Sequence, residues 1–391
     1  MTLPPYIQTA LDRLNARGYS AYVVGGSVRD SILGLAPTDF DLTTSALPEQ
    51  IKDCFSGYRQ FYAGIKHGTV SVVIDKNVVE ITTFRIDGDY SDNRRPEQVV
   101  FTDDLQADLA RRDFTINAMA FHPKTGICDF FGGREDLSAG LIRCIDESRT
   151  RFEEDALRIM RALRFSAALG FEIEPDTQQG MSDCAELLKN ISKERIVFEL
   201  KKIICAPHAA RVLDRYFYII RTVIPQLEPP DTGLFCGADH VCVRLAFLLL
   251  GCTEPAGLLA EMGFDNKTKA LVLYLLDHRD IALTPDRVFV KRQLRRVAPP
   301  DFYQLVRFKG RIDRADYSAV WAAAEEIIKN GECYTLPQLA VDGRDIMALG
   351  LYKDKQIGKA LDLLLEQVIQ GLIENKKAAL IAAAKKLDLS V

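Results

Sequence analysis

Hydrophobic residues follow two different periods along the chain, and the change between them falls near residue 145. Before that point, short runs of β-branched and aromatic residues alternate with helical patterns, as at residues 22–24, 69–74 and 78–84. Such runs predict strands separated by helices. The first 145 residues are therefore expected to form a domain of mixed α and β structure.

From residue 147 onward, apolar residues recur at helical spacing and strand-like alternation almost disappears. One such stripe comprises Ala156, Ile159, Met160, Leu163 and Ala167. A stripe of this kind predicts a helix with one buried face, so the rest of the chain is expected to be all-helical. Proline and polar clusters near 207, 225–232 and 299–301 suggest breaks within it.

Charge and cysteine content narrow the classes of function. The chain has 50 Lys and Arg against 54 Asp and Glu, a net charge of −4, so a polyanionic partner would have to meet local basic patches. One candidate patch is the stretch 286–314, which contains nine basic residues and only three acidic ones. Nine scattered cysteines without a C-x-x-C pair fit neither a zinc module nor a disulfide framework. No apolar run is long enough to span a bilayer, and we expect a cytoplasmic protein.

The first stretch with candidate chemistry is a predicted strand that enters a Gly25-Gly26 turn and then a helix that Ser27 could cap. Glycines there would let backbone N–H groups approach a phosphate, and Arg29 could add a guanidinium. A purely structural turn is the alternative interpretation of this short pattern.

Two carboxylates follow the turn. Asp39 and Asp41 flank Phe40, and on a strand they would share one face while Phe40 points into the core. Adjacent like charges are costly without a cation between them, and such oxygen ligands suit Mg²⁺. Glu80 could add a third carboxylate from a neighbouring strand. The alternative is a solvated strand end.

The Gly-Gly turn followed by Asp-x-Asp resembles the signature of the DNA polymerase beta superfamily. The resemblance continues with motifs similar, in the same order, to those of class II tRNA nucleotidyltransferases. These motifs lie at 111–120, 129–137, 154–165 and 192–199, and the residues after 343 resemble the family more loosely. The resemblance implies an α+β fold with an N-terminal polymerase-beta-like nucleotidyltransferase head and an all-helical C-terminal body.

The resemblance also implies roles for individual residues. It implies Mg²⁺ on Asp39 and Asp41, and Glu80 is a further catalytic candidate from its place on the neighbouring predicted strand. The nucleotide would be bound through its triphosphate, ribose and base by Gly26, Arg29, Arg112, Asp113, Asp155, Arg158, Arg161 and Arg164. The implied reaction adds C, C and A to the 3′ end of tRNA from CTP and ATP. The implied domains are a head at 1–145, a nucleotide-recognition neck at 146–206, a body at 207–298 and a tRNA-binding tail at 299–391.

Asp155 and Arg158 could read a base, because three-residue spacing puts them on one face of a helix. The carboxylate accepts hydrogen bonds and the guanidinium donates them, which matches the amino group and ring nitrogen of cytosine or adenine. UTP and GTP would leave unsatisfied acceptors and be disfavoured. An exposed ion pair is the alternative. Arg161 and Arg164 would extend the same face toward a triphosphate.

Several rival functions share these motifs. Enzymes that add only the two cytidines or only the terminal A, and poly(A) polymerases, have similar heads. A non-catalytic RNA-binding protein and a small-molecule nucleotidyltransferase are rivals of other classes. The polar segment 85–96 is expected to be a mobile loop. In the family that the chain resembles, a loop here accompanies addition of the terminal A.

Overall fold

The computed structural model describes residues 1–88, 99–237, 239–351 and 355–387. The chain divides into two compact units, Met1–Gly237 and Ala238–Val391. The predicted division into four domains is finer than this, and it stays a prediction.

The first unit is built on a mixed sheet. Its strands run in the order β3-β4-β5-β2-β1-β8-β9, and only β2 and β5 pair in parallel. Two smaller pairs, β6–β7 and β10–β11, lie outside it. The strands are β1 (Ala21–Val24), β2 (Asp41–Thr44), β3 (Arg59–Phe61), β4 (Thr69–Ile74), β5 (Asn77–Thr83), β6 (Arg85–Asp87), β7 (Val99–Phe101), β8 (Met119–His122), β9 (Gly126–Asp129), β10 (Leu141–Ile142) and β11 (Glu172–Ile173).

Ten helices complete the described part of the first unit. They are α1 (Pro5–Ala16), α2 (Gly26–Ile32), α3 (Pro48–Cys54), α4 (Leu105–Ala110), α5 (Gly133–Ala139), α6 (Ser148–Glu154), α7 (Leu157–Leu169), α8 (Pro175–Asp183), α9 (Lys193–Cys205) and α10 (Ala209–Val223). The three predicted strand runs correspond to β1, β4 and β5, so the α+β head is confirmed.

Helix α7 buries the apolar face that its sequence pattern predicted. Ile159, Met160, Leu163 and Ala167 are each at most 1% exposed, as the helical stripe predicted. Burying such side chains stabilises the fold by roughly 1.5–3 kcal/mol for each large one. Gly170 ends α7 at a φ of 75°, a conformation that favours glycine.

The second unit is all-helical in the residues that the structure describes. Its helices are α11 (Val241–Leu248), α12 (Pro255–Glu261), α13 (Asn266–Asp277), α14 (Arg287–Arg296), α15 (Pro299–Ile312), α16 (Ser318–Lys329), α17 (Gly343–Met347), α18 (Lys355–Ile369) and α19 (Lys377–Ala384). None of the helices described in either unit is long and apolar enough to cross a membrane.

Two local expectations need correction or limits. The region after residue 147 was expected to lack strands, but β11 pairs in parallel with β10 of the head. Of the segment 85–96, residues 85–87 form β6 and pair with β7, while residues 89–98 lie outside the described part of the chain. The mobile loop expected there therefore stays a prediction.

The basic stretch 286–314 is largely paired with acidic groups of its own unit. Arg287 and Lys291 both bind Glu332, Arg292 binds Glu366, and Arg295 binds Asp362 at 2.5 Å. Lys309 is buried and donates to the backbone carbonyl of Arg279 at 2.6 Å. The local excess of positive charge that the sequence suggested is thus offset by acidic side chains from outside the stretch.

Candidate active site

The glycine turn joins β1 to α2. Gly25 caps the helix with a φ of 75° and a ψ of −134°, which only glycine adopts without strain. Ser27 does not cap the helix, contrary to expectation: it lies inside the first turn, and its hydroxyl donates to the backbone carbonyl of Val24 at 3.2 Å. The helix therefore begins two residues earlier than the capping pattern suggested, with Gly25 and not Ser27 as its N-cap.

Gly25 also makes room for an arginine from another part of the head. A Cβ at this position would lie 3.0 Å from Nη1 of Arg112. The side chain of Arg112 is largely buried, and burial lowers its pKa while Asp108 opposes that effect. The turn therefore lets a guanidinium pass close to the backbone.

The predicted carboxylates meet at the start of β2. Strand β2 begins at Asp41, so Asp39 precedes the strand and does not share a strand face with Asp41. Phe40 is only partly buried and lines the same cavity as the carboxylates, contrary to the expected core position. Asp41 lies directly opposite Glu80 in the parallel pairing of β2 with β5. The structure thus brings the three carboxylates to one cavity of about 640 Å³.

Burial and the charges of neighbouring groups shift the pKa of two of these carboxylates. Desolvation raises the pKa of Asp41, with Arg112 opposing and Asp39 adding to the rise. Desolvation and the charge of Asp41 raise the pKa of Glu80. Among the described residues, no three acidic, histidine or cysteine side chains are grouped closely enough to hold a metal ion. Magnesium sites with one or two protein carboxylates complete their shell with water and substrate phosphate.

A second cavity, of about 470 Å³, opens beside Asp41, and six of its fourteen lining residues are arginines. All eight residues predicted to bind nucleotide line it: Gly26, Arg29, Arg112, Asp113, Asp155, Arg158, Arg161 and Arg164. The remaining lining residues are Gly25, Asp41, Asn117, Leu157, Phe165 and Arg195. We call this space the arginine cavity.

Asp113 is the buried acid beneath the arginine cavity. Nε of Arg161 donates to its Oδ2 at 2.8 Å, and Nδ2 of Asn117 donates to its Oδ1 at 3.0 Å. Burial alone would raise the pKa of Asp113, but Arg161, Asn117 and Arg158 lower it to about 2. A carboxylate that stays ionised fixes the adjacent arginine in one orientation.

Arg29 and Arg164 flank that pair. Nη1 of Arg29 donates to Oδ1 of Asn117 at 2.7 Å, and Nε of Arg164 lies 3.1 Å from the buried carboxylate of Glu199 on α9. Burial lowers the pKa of Arg164, and the nearby charge of Arg161 lowers it further. Crowding of like charges in a partly desolvated space favours an anionic ligand.

Asp155 and Arg158 reach the arginine cavity, but not from one helix face. Asp155 has extended backbone in the break between α6 and α7, where its Oδ1 accepts from the N–H of Leu157 at 3.1 Å. Nη1 of Arg158 binds Glu154 at 2.6 Å, and its Nη2 donates to the carbonyl of Arg111 at 3.1 Å. The predicted helical pair is therefore wrong in geometry, although both side chains line the predicted pocket.

Three residues of the arginine cavity were not singled out for it from the sequence. Arg195 pairs with Asp155 from α9, Asn117 links Arg29 to Asp113, and Phe165 projects from α7. Asn117, Phe165 and Arg195 lie within the segments that resemble family motifs, which was the available signal. Spacing along the chain gives no sign of these long-range partners.

Comparison with known proteins gives consistent matches over the chain. Residues 21–143 match the family model described as the poly A polymerase head domain, and residues 170–228 match a probable RNA and SrmB-binding site of polymerase A. A CCA-adding enzyme of Geobacillus stearothermophilus is 48% identical over 97% of this chain and 96% of its own length. One from Limosilactobacillus fermentum is 36% identical over 99% and 98%.

Solved structures agree with these sequence matches. The crystal structure of the Bacillus stearothermophilus CCA-adding enzyme in complex with CTP superposes with a TM-score of 0.84 at 30% identity, covering 98% of each chain. The Thermotoga maritima CCA-adding enzyme complexed with tRNA is 21% identical, with a TM-score of 0.69, and covers 98% of this chain and 97% of that one. At that identity the second likeness supports the fold alone.

Proposed function

This chain belongs to the family of CCA-adding enzymes, and from that premise we propose which of its residues add C, C and A to the 3′ end of tRNA from CTP and ATP without a template. The observation that carries the assignment is the arginine cavity, which gathers all eight predicted nucleotide-binding residues and opens beside Asp41. An anionic triphosphate in that cavity would place its reacting phosphorus toward the carboxylate cavity.

In the reaction, the 3′-hydroxyl oxygen of the RNA forms a bond to the α-phosphorus of the nucleotide. The bond from that phosphorus to the bridging oxygen breaks, pyrophosphate leaves, and the proton of the hydroxyl is released to solvent. The arginine cavity would neutralise the charge of the leaving pyrophosphate, chiefly through Arg29, Arg161 and Arg164. Arg112 and Asp113 would hold the ribose and phosphate region.

Asp39 and Asp41 would hold Mg²⁺, with Glu80 adjacent as a further catalytic carboxylate. Their carboxylate oxygens suit this ion. Burial first, and then the charge of a neighbouring carboxylate, raises the pKa of Asp41 and of Glu80, and a divalent cation would relieve the repulsive part. Bound magnesium would supply charge stabilisation to the transferring phosphoryl group and activate the attacking hydroxyl. The protein residues would orient the two substrates around it.

Asp155 and Arg158 would select the base. In the described geometry Asp155 is the more available of the two, because Arg158 is buried and already bound to Glu154 and two backbone carbonyls. The acceptor oxygens of Asp155 suit the amino group of cytosine or adenine, whereas the carbonyl of uracil or guanine would face them unfavourably.

Addition of CC only, of the terminal A only, and of poly(A) remain the nearest rivals, and one incubation separates them. The protein is mixed with tRNA transcripts ending before CCA, after C, and after CC, with each nucleotide offered singly and then together. Full CCA addition predicts CTP incorporation on the first two transcripts and a single A on the third. Failure to add A to the third transcript would show that the protein adds only the two cytidines. An A tract would favour poly(A) synthesis, and no incorporation at all would favour a non-catalytic RNA-binding protein.

A further inference from the structure

One aromatic ring lies among the cations of the arginine cavity. Phe165 is 8% exposed, and the guanidinium carbons of Arg164, Arg29 and Arg161 lie 4.3, 5.1 and 5.5 Å from its ring centroid. Each distance is within the range of a cation–π interaction. Three separate guanidinium groups thus share one neutral side chain.

The ring is itself held from behind. Phe114, which is fully buried, contacts it edge to face with centroids 5.8 Å apart and an interplanar angle of 84°. The three arginines come from two helices, Arg29 from α2 and the other two from α7. Phe165 therefore links the glycine-turn helix to the arginine row at a fixed distance.

The ring differs from the acidic partners of these arginines in one respect. Asp30, Asp113 and Glu199 each orient one arginine and cancel part of its charge. The quadrupole of an aromatic face attracts cations without a net charge, so the cavity keeps its positive potential. A preorganised cluster of this kind binds an anion without first ordering its own side chains.

We propose that Phe165 is a positioning residue for the triphosphate, holding Arg29, Arg161 and Arg164 in a binding arrangement without neutralising them. The inference rests on the proposed function, because it concerns the same nucleotide site. The ring acts on the part that CTP and ATP share, so its loss affects both nucleotides equally. Pyrophosphate, which lacks base and ribose, depends on it in the same way.

The test varies the electrons of the ring and not its size. Phe165 is replaced by phenylalanine with one, two or three ring fluorines, which progressively weakens the negative face. KM for CTP and for ATP should rise stepwise, by about five- to tenfold at three fluorines, with kcat little changed. Inorganic pyrophosphate, measured by calorimetry, should bind more weakly in the same steps.

Phe165→Leu should raise KM as much as the trifluorinated ring does. Phe165→Trp, which keeps an aromatic face, should leave KM close to that of the unsubstituted protein. Phe55→Leu removes a fully buried ring of the head that does not line the cavity, and it should lower stability while leaving KM unchanged. A flat KM across the fluorine series, or a change for one nucleotide only, would overturn the proposal. If the unsubstituted protein incorporates no nucleotide, the proposed function fails, and the pyrophosphate series still judges the role of Phe165.

Discussion

The guanidinium of Arg195 donates two hydrogen bonds to the carboxylate of Asp155, from Nη2 to Oδ2 at 2.8 Å and from Nη1 to Oδ1 at 3.3 Å. The partners are forty residues apart, and both line the arginine cavity. A carboxylate has about four lone-pair sites, of which Arg195 uses two and the N–H of Leu157 uses a third, so Asp155 is oriented and keeps one site on Oδ2 for a base. Arg195 thereby joins the group that would decide nucleotide choice.

Asp155→Ala should reduce discrimination among nucleotides more than it reduces RNA binding. The variant removes the acceptor that faces the amino group, which is worth about tenfold or more in selectivity. The measurement is kcat/KM for all four nucleotides, beside the Kd for tRNA. Glu153→Ala, an exposed acid on the neighbouring helix, should keep the ratio. An unchanged preference for CTP and ATP in Asp155→Ala would refute the base-reading role.

Asp39→Asn and Asp41→Asn should each abolish incorporation of both CTP and ATP, because both additions would share one metal site. The assay is single-turnover extension of tRNA transcripts at saturating Mg²⁺. Asp53→Asn, a change of the same kind at an exposed position of α3, should leave the rates unchanged. Near-normal extension by either of the first two variants would remove these residues from the catalytic site.

Gly25→Ala should raise KM for both nucleotides and destabilise the head. Its φ of 75° strains an L residue, and the added methyl would press on Arg112 at 3.0 Å. The strain costs about 1–3 kcal/mol. Gly34→Ala is the matched control, with a φ of 73° but nothing within 4 Å of the added Cβ. Urea unfolding should detect a loss in both variants, whereas only Gly25→Ala should change KM. Equal KM values would show that the close approach has no functional part.

Asp113→Asn should destabilise the first unit in a pH-dependent way. The pKa of Asp113 is lowered to about 2 from 3.8, so its ionised form stabilises the fold above pH 4, by about 2 kcal/mol. That contribution is lost as the pH falls through the folded-state pKa. The difference in unfolding free energy between the two proteins should therefore be full at pH 7 and about half as large at pH 3. A gap that stays constant over this range would contradict the assignment.

From the sequence we predicted strands β1, β4 and β5, the helical stripe of α7 and eight of the residues that line the arginine cavity. Local geometry was predicted less well. Period and turn chemistry are properties of neighbouring residues, which is why β1, β4, β5 and α7 were found. The strand face assumed for Asp39 and Asp41 failed because β2 begins only at Asp41. The helix pairing of Asp155 with Arg158 failed because the chain breaks between α6 and α7.

Long-range partners account for most of the remainder. Arg195 contacts Asp155, 40 positions away in the chain. Asn117 and Phe165 both contact Arg29, which is 88 positions from the first and 136 from the second. These contacts exist only in the folded chain. The same cause explains the stretch 286–314, whose positive charges meet carboxylates up to 74 residues away. Local charge counts cannot anticipate such compensation.

The short parallel pairing of β10 with β11 has a mechanical consequence for how this site can adapt. After α6 and α7, this pairing brings the chain back to β10 of the head. The N–H of Glu172 donates to the carbonyl of Gly140, and the N–H of Glu174 donates to the carbonyl of Ile142. The C-terminal end of the arginine-bearing helix α7 is thus held against the head by backbone hydrogen bonds. Swinging α7 away from β10 would break these bonds, so we expect side chains such as Asp155 and Arg195 to make the room that a purine needs after a pyrimidine.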